Sequence, residues 1–158
     1  VSKIVYCDGS CLNNGKSTAV GGWNFLVVEG EDLDSQEIVY SESGYSLPNS
    51  EPPPTNIRME MMAVIKALAH FQDPEHIIVH TDSAYVVNGL NQKWYINWFK
   101  TGKNSFGKTP ANLDLWVQLV DLVNFHKSVR LVHVKGHTGH RFQELCDILA
   151  RQTASKHA

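Results

Sequence analysis

Ile77-Ile78-Val79-His80-Thr81 is apolar without alternation, so a strand built from it has to be covered on both faces. Helical covers lie on either side of it in the sequence. Upstream, Thr55 or Asn56 caps a helix whose Val64, Ala67, Leu68 and Phe71 recur at helical spacing, and Asp73-Pro74 ends it. Downstream, a helix runs from Ser83 or Ala84 to about Gly89, and Trp94 to Phe99 adds a turn or two. Another helix starts at Asn112 or Asp114 and continues through Phe125, with Leu115, Leu119 and Leu122 on one stripe. A strand over Val129–Val134 and a helix from Phe142 to about Ser155 complete the chain, with a loop from Lys135 to His140 between them. At the other end, Lys3–Cys11, Gly21–Val28 and Glu37–Ser43 read as strands, the last two joined by the acidic turn Glu29 to Asp34. Hairpin strands followed by alternating strands and helices predict an α/β domain with a mixed sheet. The length, 158 residues, suits one domain spanning residues 1–158.

The net charge of -2 does not announce a polyanion binder, and the distribution is more informative than the sum. No acidic residue occurs between Asp82 and Asp114, whereas Lys93, Lys100, Lys103 and Lys108 do, interleaved with Trp94, Tyr95, Trp98, Phe99 and Phe106. Leu47 to Pro54 holds four prolines and reads as a stiff, extended loop. The three cysteines include no CxxC pair. Cys7 and Cys11 share a strand face but lie about 13 Å apart by strand rise, too far for a disulfide. Free thiols predict a reducing, intracellular and cytoplasmic setting. No signal-peptide pattern opens the chain, and no apolar stretch approaches the length of a membrane span.

Asp8 lies on the same strand face as Ile4 and Tyr6, where a carboxylate is costly unless compensated; the plainer reading of Asp8-Gly9-Ser10 is a turn. Glu60 precedes Val64 and Ala67 on the stripe that its helix buries, or lies half-exposed at the stripe's end. Asp82 follows the doubly covered strand at its carboxyl end, where open α/β sheets place ligand sites, or else caps the next helix. Asp147 follows Cys146 on the last helix, where an ordinary aspartate is solvated or ion-paired. No lysine or arginine pairs obviously with all four. Gathered carboxylates repel, and a hard divalent cation, Mg²⁺ or Mn²⁺, relieves that. A zinc site from His133, His137 and His140 is disfavoured, because glycines surround them and no cysteine lies nearby.

Asp8-Gly9-Ser10-Cys11, Thr55-Asn56-Ile57-Arg58-Met59-Glu60-Met61-Met62-Ala63, Thr81-Asp82-Ser83-Ala84-Tyr85-Val86, Val134-Lys135-Gly136-His137-Thr138-Gly139-His140, Cys146-Asp147 and Leu149-Ala150-Arg151 follow one another in a familiar order. In these stretches, spread over nearly its whole length, the chain resembles the type 1 ribonuclease H family. The resemblance implies a five-stranded mixed sheet with helices on both faces, and Asp8, Glu60, Asp82 and Asp147 converging on two Mg²⁺ ions, with Mn²⁺ able to substitute. It further implies hydrolysis of the RNA strand of RNA–DNA hybrids by a two-metal displacement that leaves 5′-phosphate and 3′-hydroxyl ends. Asp8 corresponds to the bridging ligand and Asp147 to the ligand of the water-activating ion. Glu60 and Asp82 correspond to ligands on the leaving-group side, and His137 to a loop histidine that assists proton movement or product departure.

The same resemblance makes residues 93–110 a basic protrusion that holds the DNA strand, with Lys93, Trp94, Lys100 and Lys103 as contacts. Cys11, Asn14, Thr55 and Asn56 are the candidate contacts near the cleft. Ile57 and Ala84 stand where relatives carry an asparagine and a glutamine, and the proline-rich segment lengthens the loop before Thr55. Those departures bear on grip, not on chemistry. The expected assembly is a monomer with no obligate protein partner and no membrane. Two other readings stay open: a hybrid-binding module without turnover, and a DNA-acting nuclease of the same fold.

Overall fold

The computed structural model describes residues 1–32, 34–135 and 140–158. In chain order the elements are β1 (Lys3–Leu12), β2 (Val20–Glu29), β3 (Glu37–Ser46), α1 (Asn56–His70), β4 (His76–Thr81), α2 (Ala84–Asn91), α3 (Tyr95–Thr101), α4 (Leu113–Phe125), β5 (Ser128–His133) and α5 (Arg141–Lys156). The five strands form one sheet in the order β3-β2-β1-β4-β5. β1, β2 and β3 are antiparallel neighbours, while β4 runs parallel to both β1 and β5. The sheet is therefore mixed, as the sequence predicts.

The alternation of β1 explains the two layers. Val5 and Cys7 face a large core built with Phe25, Val79, Met61, Val64 and Leu68, and with Leu115, Trp116 and Leu119 from α4. Tyr6 faces the other way, where Leu26, Val28, Phe142 and Cys146 form a smaller core under α5. α5 comes very close to the sheet at Gly22, where a Cβ would overlap the carbonyl oxygen of Ala150. On the other face, α1 ends at His70, with Phe71 extended, rather than running on to Asp73-Pro74. The buried His126 ring accounts for that stop. Its Nδ1 accepts from the Glu75 amide at 3.2 Å, so Nε2–H donates to the Leu68 carbonyl at 2.8 Å and satisfies a helix-end acceptor. Among the described residues no helix is long and apolar enough to cross a membrane.

The geometry that matters most for a site is where strands separate. β1 and β4 pair from Lys3↔Ile77 to Tyr6↔His80 and no further. Just past the last pair, β1 carries Asp8 and β4 hands over to Asp82. This is a crevice at the carboxyl ends of parallel strands.

Candidate active site

Three carboxylates meet in the crevice. One oxygen each from Asp8, Glu60 and Asp82 lie within 4.8 Å of one another. Glu60 gets there through Gly9: a Cβ at that position would overlap the Met59 carbonyl and the Glu60 amide. Only glycine lets α1 cross β1 so closely, and the crossing sets Glu60 beside Asp8. Thr55, not Asn56, caps the helix, its Oγ1 accepting from the Arg58 amide at 3.1 Å. Asp82 is free of the capping role that its position suggested. Ser83 caps α2 instead, its Oγ accepting from the Val86 amide at 3.3 Å. Among the described residues Asp82 Oδ1 is buried without a hydrogen-bond partner.

Crowding shows in the acidities. Burial first, then the charge and hydrogen bond of Asp82, and last Asp147, push the Asp8 carboxyl up to about 9; the Gly9 amide at 2.8 Å pulls the other way. Glu60 is also raised, by burial and more weakly by Asp82, against a hydrogen bond from the Ser83 hydroxyl. Hard oxygen donors, one of them orphaned, and a carboxyl kept from ionising by burial and then by its neighbours fit a divalent cation.

Asp147 stands apart from this trio. It faces the neighbourhood closely enough to raise Asp8, yet its Oδ2 accepts from Arg151 at 3.0 Å one turn along α5. His137 lies outside the described residues. On either side of its loop, His133 Nε2 lies 3.2 Å from the Asp82 carbonyl, and the His140 ring lies 4.9 Å from that of Tyr6. Among the described residues neither histidine joins a metal-capable cluster.

The candidate contacts fall into two patches. In the first, the Cys11 amide donates to Asn56 Oδ1 at 2.8 Å, and the Asn56 amide donates to Asn14 Oδ1 at 3.1 Å. These bonds lock the β1–β2 turn to the start of α1 beside Thr55. Arg58 then makes a two-pronged ion pair with Asp114, at 2.9 and 2.8 Å, which ties α1 to α4. A groove of about 820 Å³ lined by Lys16, Pro53, Thr55 and Arg58 runs alongside. The second patch holds Lys93, Trp94, Lys100 and Lys103 around α3. Trp98 packs edge-on against the buried Trp116 at 5.9 Å, while Phe106 is 85% exposed. A hollow of about 570 Å³ there is lined by Trp94, Trp98, Lys103 and Phe106.

Two residues that the sequence did not single out belong to this neighbourhood. Ser83 serves helix and cluster at once, its Oγ accepting from the Val86 amide and its hydroxyl favouring the ionised Glu60. Asn24, fully buried on β2, pairs directly with Asp8 on β1. An amide inside the apolar run Trp23–Val28 was the available signal, legible once the hairpin partner of Asp8 is known.

Comparison with known proteins settles the family. The RNase H family model matches residues 1–155. The chain belongs to the ribonuclease H family. The ribonuclease H of Chlorobaculum parvum is 41% identical over 149 residues, covering 93% of this chain and 91% of the relative. That of Clostridium botulinum is 34% identical over 150 residues, covering 94% and 93%. A solved type 1 RNase H with the type 2 active-site motif, LC9-RNase H1, superposes with a TM-score of 0.75 at 31% identity, over 100% of this chain and 75% of that one. The fold also matches foamy viral protease-reverse transcriptase, solved in complex with RNA/DNA hybrid, at a TM-score of 0.79 and 19% identity, over 98% of this chain and 20% of that one. With relatives this similar along nearly their full length, the chain is a ribonuclease H enzyme, a nuclease of the hydrolase class.

Proposed function

We propose that this chain cleaves the RNA strand of RNA–DNA hybrids endonucleolytically, leaving 5′-phosphate and 3′-hydroxyl ends. The observation that carries the reading is the trio Asp8, Glu60 and Asp82, gathered where β1 and β4 part, with Asp147 on α5 alongside. Family membership supports the same reading, as does the RNA/DNA hybrid held by a protein of the same fold.

These four carboxylates would hold two divalent cations, Mg²⁺ by the hardness of the oxygen donors, with Mn²⁺ able to substitute. When bound, such cations lower the pKa of water and neutralise charge on the attacking and departing oxygens. Asp8 feels the charges of both Asp82 and Asp147, which suits it to serve both ions. Glu60 and Asp82 would hold the ion on the leaving-group side, and Asp147 the ion on the water side. The Ser83 hydroxyl favours the ionised form of Glu60. His137 is assigned proton movement or product departure.

Residues 93–110 form the DNA-strand handle of a single domain spanning residues 1–158, with Lys93, Lys100 and Lys103 on phosphates and Trp94 against sugar. Cys11, Asn14, Thr55 and Asn56 meet the hybrid beside the cleft, Cys11 through its backbone. The protein acts as a monomer. The test is incubation with end-labelled hybrid, duplex DNA and duplex RNA, each with Mg²⁺ or chelator. Cleavage of only the hybrid's RNA strand, abolished by chelator, is expected. Cutting of duplex DNA, or binding of hybrid without turnover, would overturn the proposal.

A further inference from the structure

Gln143 is an unusual residue to find under the crevice. It is 5% exposed, on the same helix face as Cys146, in a layer otherwise made by Tyr6, Leu26, Val28 and Phe142. Packing alone favours an apolar side chain of that volume, because a buried amide loses its water. The amide has one partner: Nε2–H donates to the Cys7 carbonyl at 2.8 Å, and Oε1 is buried with none among the described residues.

The identity of that acceptor is what makes the bond informative. Cys7 is one residue beyond the last β1–β4 pair, where β1 has lost its parallel neighbour, and one residue before Asp8. Gln143 in turn stands four residues before Asp147, one helical turn and about 6 Å of rise away on the same side of α5. A single hydrogen bond therefore joins the strand and the helix that carry Asp8 and Asp147, right beside both. A longer contact, Tyr6 hydroxyl to His140 Nε2 at 3.4 Å, lies farther off, at the residue that precedes α5.

We propose that Gln143 is a positioning residue for the cleavage reaction: its amide on the Cys7 carbonyl sets the seat of α5 on β1, and so the separation of Asp147 from Asp8. The inference rests on the proposed function, since only a reaction needing both carboxylates makes that separation matter. Gln143 touches neither substrate nor reacting atoms; it acts through the two carboxylates.

The test compares Gln143→Met, which keeps length and volume but cannot donate, with Gln143→Asn, which is smaller but keeps the amide. Hybrid cleavage is measured well below each variant's melting temperature, and Mn²⁺ alone is titrated calorimetrically into each protein. Gln143→Met is expected to leave KM within about twofold, lower kcat by about tenfold or more and weaken Mn²⁺ binding by about tenfold, as loss of a ligand-orienting contact does. Gln143→Asn keeps the donor but carries it one methylene short of the Cys7 carbonyl, so it is expected to recover only part of the lost kcat, falling between methionine and the parent. A methionine variant with parental kcat and Mn²⁺ affinity, or an asparagine variant worse than methionine, would reduce Gln143 to a filler and overturn the proposal. Should Gln143→Met fail to fold, Gln143→Leu takes its place under the same criteria. A parent protein that cuts no hybrid would remove the proposed function instead, and the Mn²⁺ titrations would still decide whether the clamp exists.

Discussion

The crevice and the handle are built on opposite principles. In the crevice, positions are set by backbone: Gly9 lets α1 press on β1, the β1–β4 ladder stops at Tyr6↔His80, and Ser83 takes over the capping so that Asp82 is free. In the handle, α3 has no fully buried residue and no side-chain cap, and its charges sit on flexible lysines. The contrast teaches where tolerance lies. A group that must meet a reacting phosphate fails when displaced by about 1 Å, whereas a lysine on a phosphate is one of several interchangeable charges.

The sharpest break of that contrast is Asp8→Asn. It should lower cleavage on the order of 10³-fold while leaving hybrid affinity nearly unchanged, read by single-turnover cleavage and by binding in Ca²⁺. Parental turnover would refute a central role for Asp8. Next comes Gly9→Ala, whose added methyl meets the α1 backbone on one side of the crossing. Loss of about 3 kcal/mol in urea unfolding is expected, with a rate reduction of about 100-fold from displaced Glu60. An alanine variant of parental stability would mean that α1 yields easily.

A third measurement sharpens the electrostatic side. Without metal, the folded Asp8 carboxyl holds its proton up to about 9, against an ordinary value near 4. The folded state thus binds more protons than the unfolded chain between those values, and stability must fall as pH rises through that window. In chelator, the parent should lose several degrees of melting temperature from pH 5 to 9, and Asp8→Asn should lose less. Parallel curves would show that Asp8 is not the strained group. The smallest effect belongs to the handle. Removing Lys100 and Lys103 together should flatten the salt dependence of hybrid binding by about two in log–log slope, with little change in kcat. Equal slopes would place these lysines off the backbone.

The mixed sheet was legible because its cues are local: doubly apolar β4, the hairpin of β2 and β3, and helical stripes on α1 and α4. Most element ends shifted by no more than two residues and β3 ran three further, to Ser46; at α1 the tertiary bond to His126 decides the end. The carboxylates were legible as misfits, but their meeting was not, since Asp82 and Ser83 are equally good caps and only the fold shows which one serves. Asp147 illustrates the converse. Its ordinary reading as an ion-pair partner is visible in the bond to Arg151, even as its charge reaches Asp8. Gln143 left no trace in the sequence, because an amide on a helix looks solvated until the sheet is laid beneath it.

The interlocked amides Cys11–Asn56 and Asn56–Asn14 have a thermodynamic consequence of their own. Side chains already fixed by accepting from backbone amides of a neighbouring segment have little rotational freedom left to lose when a ligand arrives. On the proposed reading, the hybrid meets a preformed wall on the side of the β1–β2 turn, and there association forfeits little entropy. On the handle side, long lysine chains must be ordered as they engage, and that forfeit is larger. The two strands of one duplex would thus be held by a rigid grip and by an adaptive one.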